Sequence, residues 1–203
     1  MNNLWVYGDS FSVDMNTDSA PCFTKYVEYK KRQVKSYSNF IGEKLNLNVI
    51  NKSVGGSDNY TIFETLCEDI EKIGDNDLVI LNWGPVTRFR IVNEDTNRWE
   101  SVMGYDFRYE NFFCRKTIEE ISINRLNQQY ENEILNFEKI IRKSLRNNFL
   151  YIWTWTNYEF TYSLTSIEQE TNGHVKDGHW AESGHKDFSE SILRTYHEWK
   201  MKQ

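Results

Sequence analysis

The sequence predicts an α/β chain, a three-layer α/β/α sandwich around a mostly parallel sheet. Three observations predict it. Short apolar runs alternate with amphipathic stretches in strand–helix order. The run Asp77-Leu78-Val79-Ile80-Leu81 is almost wholly aliphatic, as in a strand covered on both faces. No Pro/Gly/Ser linker divides the 203 residues, so a single domain, 1–203, is expected.

Each element has its own warrant. Leu4-Trp5-Val6-Tyr7 is a compact apolar run stopped by Gly8-Asp9-Ser10, which reads as a strand and a tight turn. Phe40, Ile41, Leu45 and Leu47 predict a short helix over 37–47, with Ser38 as its N-cap. Val49-Ile50-Asn51 is a second strand, followed by the turn Gly55-Gly56-Ser57. Tyr60, Ile62, Phe63, Leu66, Ile70 and Ile73 recur at helical spacing, so 59–73 is a helix ending at Gly74. The strand 77–81 follows. Residues 86–115 are an irregular insertion, in which Arg88–Val92 and Arg98–Val102 pair as a hairpin. A long amphipathic helix is predicted over 116–146, a strand over 149–155, and a closing helix over 182–200. Lys30-Lys31-Arg32 reads as a solvated run in a loop.

Composition narrows the function classes. Hydrophobic residues at 39% and only two prolines exclude a disordered or collagenous chain. A formal charge of −6 disfavours a general phosphate-backbone binder, so no nucleic-acid partner is expected. No apolar run reaches the ~20 residues of a membrane helix. Cys22, Cys67 and Cys114 form no CxxC pair, so neither a disulfide framework nor a zinc knuckle is expected. The N-terminal stretch has no basic n-region with a long apolar h-region, and a cytoplasmic location is the expectation.

In an open parallel sheet the ligand site lies beyond the carboxyl ends of the strands. There the sequence places Gly8-Asp9-Ser10, then Asn51-Lys52-Ser53-Val54-Gly55-Gly56, then Asn82-Trp83-Gly84-Pro85. Asp177-Gly178-His179 stands before the last helix. A serine, a glycine turn, a polar turn and an acid–His pair are the parts of a nucleophilic acyl-transfer site. Each has a plain alternative: Ser10 as a helix cap, Gly56 as an ordinary turn, His179 as a loop histidine. Asp9 reads first as a helix-start carboxylate, with bracing of the site as the alternative. Trp153 and Trp155 read first as core, with Trp155 or Tyr158 as an alternative substrate platform. His185 reads as structural, and His174 and His197 as surface residues. Asp177, His179 and His185 lack the i, i+4 pairing of a helical zinc motif, so no metal is expected. Arg88 follows the third strand, where a guanidinium would bind a substrate anion or simply face solvent.

Taken together and in order, these blocks resemble the SGNH/GDSL hydrolase family over nearly the whole chain. The resemblance implies a flavodoxin-like sandwich and a serine esterase or O-deacetylase, without cofactor, acting on a small-molecule or carbohydrate ester. In it Ser10 is the nucleophile, His179 the base and Asp177 the orienting acid. The amides of Ser10 and Gly56 serve the oxyanion hole. The chain departs from the family pattern twice. Where Gly-x-Asn-Asp is usual, Gly84 stands at the position of the donor asparagine, with Asn82 two residues earlier as a substitute. Where Asp-x-x-His is usual, this chain has Asp177-x-His179. An acyltransferase on the same scaffold and a non-catalytic binding module remain open. A flavodoxin-like nucleotide binder is disfavoured, since no phosphate-loop or dinucleotide motif is present.

Overall fold

The structure is a computed structural model that describes residues 2–16, 21–86, 88–93, 98–103, 123–154 and 163–203. Strand β1 is Asn3–Tyr7, β2 Asn48–Asn51, β3 Leu78–Trp83 and β6 Phe149–Thr154. They form one four-stranded, all-parallel sheet in the order β2-β1-β3-β6. Leu4 lies between Val49 and Leu78, and Leu78 pairs with Phe149. Both central strands carry apolar runs, Leu4–Tyr7 and Leu78–Leu81, because both of their faces are covered.

Alternation along the strands builds two cores. Leu4, Val6, Leu78, Ile80, Phe149 and Trp153 face helices α2 (Tyr37–Leu45) and α6 (Glu182–Lys200), which contribute Tyr37, Ile41, Phe188 and Ile192. Trp5, Tyr7, Val79, Leu81 and Trp83 face α3 (Asn59–Asp69) and α4 (Ile123–Ser144), which contribute Ile62, Leu66 and Ile141, with Leu145 just past the end of α4. Helices on both faces of a parallel sheet are the expected architecture. The insertion contains the predicted hairpin, β4 (Arg88–Asn93) antiparallel to β5 (Arg98–Met103), with Arg88 opposite Met103. Among the described residues no helix is long and apolar enough to cross a membrane.

Several local readings are corrected. The cap of α2 is Ser36, whose backbone N–H donates to Asn39 Oδ1 at 2.9 Å; Ser38 lies inside the helix. That helix stops at Asn46, which takes the left-handed conformation. Two helices were not anticipated: α1 (Pro21–Lys30), which takes in Lys30 of the supposed loop run, and the one-turn α5 (Ile167–Glu170). Helix α1 buries Phe23 and Tyr26 on a third, smaller core with Val13, Met15, Val34, Ile167 and Val175. Residues 116–122 of the expected long helix lie outside the described residues. So do Trp155, Tyr158, Cys114 and the aromatics Tyr105, Phe107, Tyr109, Phe112 and Phe113.

Candidate active site

The turn that carries Ser10 is built from the end of β1. Its glycine is required by packing: a Cβ on Gly8 would come within 2.7 Å of Asn82 Cβ and 2.9 Å of Ser12 Oγ. The turn closes through Ser12 N–H to Asp9 O at 2.9 Å. Asp9, fully buried, accepts from Phe11 N–H at 3.1 Å and from Asn82 Nδ2 at 2.8 Å through Oδ1. Tyr37 donates its hydroxyl to Ser12 Oγ at 2.8 Å. Ser10 is left at the rim of this braced turn, partly exposed.

The glycine turn sits beside it. Val54 N–H donates to Gly8 O at 3.0 Å, and Asn51 Nδ2 to Ser12 O at 2.7 Å. Ser57 N–H closes the turn on Val54 O at 3.2 Å. Gly56 takes φ +81°, a conformation that glycine adopts without strain. Asp58 then caps α3, accepting from Thr61 N–H at 2.9 Å. The Ser10 and Gly56 amides thus belong to adjacent, mutually bonded turns.

The Asp177–His179 loop comes from the far end of the chain and is held differently. Helix α5 is capped by Ser166, which accepts from Gln169 N–H at 3.2 Å. The first amides of that helix reach across the loop: Ile167 N–H donates to His179 O at 2.8 Å and Glu168 N–H to Asp177 O at 3.3 Å. Within the loop, Asp177 Oδ1 accepts from the His179 backbone N–H at 2.7 Å and lies 2.5 Å from His179 Nδ1. The first contact is an Asx turn, in which an aspartate side chain caps the amide two residues on. That turn is why a spacing of two suffices: it folds the carboxylate back over the next-but-one side chain.

His179 Nε2 lies 2.8 Å from Ser10 Oγ, across 169 positions of sequence. Burial raises the cost of charge on Asp177, but hydrogen bonds from His179 outweigh it and hold the carboxyl below its usual range. An ionised Asp177 only accepts, so Nδ1 carries the ring proton and Nε2 is left to accept from the Ser10 hydroxyl. The imidazole is gripped by two rings, Phe11 at 4.6 Å and Phe23 at 5.1 Å between centroids.

Sequence reasoning missed Cys22, Phe11 and Phe23, since nothing in the spacing of α1 points to residues so far along the chain. The Cys22 sulfur lies within 4.8 Å of an Asp177 carboxylate oxygen and a His179 ring nitrogen; burial, then the nearby carboxylate, push its pKa up to about 12. Asn59, also unforeseen, clamps Gly84: Gly84 N–H donates to Asn59 Oδ1 at 2.7 Å, and Asn59 Nδ2 donates to Gly84 O at 3.1 Å. Asn82 is fully buried with its Nδ2 on Asp9. Arg88 is buried too, its Nη1 on Asp9 and on Ser57 O. His185 is enclosed, its Nδ1 accepting from Tyr37 N–H at 3.3 Å. Among the described residues, Cys22, Asp177 and His179 are the set whose ligand atoms come within 4.8 Å of one another. A cation there would have to displace both the Nδ1 proton and a thiol proton held firmly by burial.

No protein-family model and no curated protein matches the chain.

Proposed function

We propose that this protein is a serine hydrolase of SGNH/GDSL type that cleaves a small acyl ester through Ser10, His179 and Asp177. One observation carries the reading. The serine after the first parallel strand and the Asp–His pair 167 to 169 positions away meet as an unbroken relay, at 2.8 Å and 2.5 Å. A helix cap or a stray loop histidine has no reason to make that pair of contacts.

The chemistry follows from the relay. Ser10 Oγ attacks the ester carbonyl as its proton passes to His179 Nε2. Asp177, bonded to Nδ1, favours the imidazolium that forms. The developing oxyanion is met by the amides of Ser10 and Gly56. Collapse breaks the acyl–alkoxy bond, and the leaving alcohol takes the proton from His179. Water, deprotonated by His179, then attacks the acyl-enzyme, and the Ser10 oxygen leaves with the proton that His179 returns, releasing the acid. An alcohol in place of that water would make the protein an acyltransferase. An acetylated carbohydrate as substrate comes from the family resemblance alone.

The test is labelling by a fluorophosphonate together with hydrolysis of p-nitrophenyl acetate. Wild type is expected to be labelled at Ser10 and to turn over the ester. Ser10→Ala is expected to lose both with its melting temperature unchanged, a loss on the order of 10⁴-fold or more. Wild type that is neither labelled nor active would return the reading to a binding module on this scaffold.

A further inference from the structure

The position that the family resemblance assigns to a donor asparagine is Gly84. The space a side chain would enter there is already filled. A Cβ on Gly84 would meet Asp9 Oδ2 at 3.4 Å, Ser57 O at 3.4 Å and Arg88 Nη1 at 3.5 Å. The guanidinium nitrogen bonds the two oxygens. Arg88 Nη1 donates to Asp9 Oδ2 at 3.2 Å and to Ser57 O at 2.8 Å.

The sequence neighbours of those acceptors matter. Asp9 precedes the nucleophile Ser10, and Ser57 follows Gly56. One guanidinium nitrogen therefore joins the residue before one oxyanion amide to the residue after the other. Asp9 is fully buried and the Arg88 side chain nearly so. A charge-assisted hydrogen bond in such a setting is short-ranged, directional and little screened by salt. Arg88 is the first residue of β4, so the hairpin sets where the guanidinium sits.

We propose that Arg88 is a positioning residue whose guanidinium fixes the separation of the Ser10 and Gly56 amides in place of the side chain missing at position 84. This rests on the serine hydrolase reading above. Two amides on turns from different strands must both lie about 3 Å from one developing oxygen. Small displacements there are costly: a shift of about 1 Å in a positioned group can slow a reaction by ~100-fold. In this role the arginine spends Nη1 on the protein's own oxygens.

The experiment measures the rate of fluorophosphonate labelling as a function of reagent concentration, which separates reversible binding from the covalent step. Four proteins are compared with wild type, each checked for its melting temperature. Arg88→Lys keeps a charge but loses the two directed bonds. Arg88→Met with Asp9→Asn removes both charges at once, so no lone buried charge is left to unfold the chain. Asp9→Asn alone completes the comparison. Arg90→Met alters the same strand at a residue that pairs instead with Glu64 at 2.6 Å.

Arg88→Lys is expected to slow the covalent step by about 10- to 100-fold with the binding constant little changed. The double variant, which loses the same directed bonds, is expected to be slowed about as much as Arg88→Lys, and Asp9→Asn, which leaves the Arg88 bond to Ser57 O in place, by less. Arg90→Met is expected to match wild type. Folded Arg88→Lys and double variants that label at the wild-type rate would overturn the role of Arg88 while leaving the hydrolase reading intact. So would an Arg90→Met variant slowed as much as Arg88→Lys. Wild type that resists labelling would instead fail the hydrolase reading itself.

Discussion

The two halves of the candidate site are held in opposite ways. The nucleophile and glycine turns are extensions of the central sheet, and buried polar groups lock them: Asp9, Asn82, Arg88 and the Gly8–Asn82 contact. The Asp177–His179 loop extends none of the described strands, although Trp180 beside it stacks on Trp153 of β6. It is suspended from α5 by backbone hydrogen bonds and packed by α1 through Phe23 and the Cys22 thiol. Helix α1 is fastened in turn by Tyr26 to Glu170 at 2.5 Å, Lys30 to Glu170 at 2.6 Å and the Arg32–Glu182 bridge. The lesson is one of division. In the proposed reaction, the half that would meet the oxyanion is built on the sheet. The half that would pass protons hangs on helices, with His179 and Asp177 each 21% exposed.

The largest effect that sharpens this comparison comes from the loop. Asp177→Asn keeps the shape and the Asx contact but loses the charge that sets the His179 tautomer. Esterase activity is expected to fall on the order of 10³- to 10⁴-fold. A loss under tenfold would mean that the loop backbone alone orients the ring and that a Ser–His dyad operates.

Gly8→Ala breaks the other half. The added Cβ would press on Asn82 Cβ at 2.7 Å, and both are held by the sheet, so neither yields easily. Overpacking of this kind costs about 1–3 kcal/mol, read as a lower melting temperature. Activity should fall with it, since the displaced turn carries Ser10. A variant with wild-type stability would show the turn to be softer than its contacts imply.

His185 offers a pH-dependent test on the loop side. It stacks on Tyr37 and lies edge-on to Trp180, next to the acid–base loop. Burial first, and then the nearby His179, lower its pKa from 6.5 to about 3. The folded ring therefore stays neutral across that window, while the unfolded ring gains a proton. The unfolded state binds more protons there, so stability falls as pH drops from 6.5 toward 3. His185→Gln should cost about 1–2 kcal/mol at neutral pH and flatten that decline. A melting-temperature profile as steep as wild type's would place the titration elsewhere.

Much of the fold was legible because buried parallel strands leave continuous apolar runs, and Leu4–Tyr7 and Leu78–Leu81 are such runs. The hairpin was legible from two β-rich stretches about a turn, and the blocks around Ser10 and Gly56 from their places after strands. Helix α1 was hidden because its apolar residues, Phe23, Tyr26 and Val27, stand among Lys25, Glu28 and Lys30. One-turn α5 is too short to show any period. The Asp177-x-His179 spacing read as a departure from the family pattern, because an Asx turn is a three-dimensional answer to a spacing problem. Nothing local could say that Asn82 bonds to Asp9, or that Asn59 clamps Gly84. Those partners are set by which strand ends meet.

The smallest effect concerns Cys22, where the helix-held half touches the relay directly. Its sulfur lies within 4.8 Å of an Asp177 oxygen, where the thiol can act only as a weak donor, and the carboxylate already receives two strong bonds from His179. Deleting it in Cys22→Ala therefore removes only a fraction of the stabilisation of that charge, about 0.5–1 kcal/mol, or two- to fivefold in kcat. Cys22→Ser restores a hydroxyl donor and should recover the activity, with KM unchanged in both variants. The Phe23 ring next to it still packs His179, so stability should hardly move. If Ala and Ser variants both match wild type, the thiol is a bystander and α1 grips the loop through Phe23 alone. If both fall together, the volume of the sulfur matters and its hydrogen bond does not.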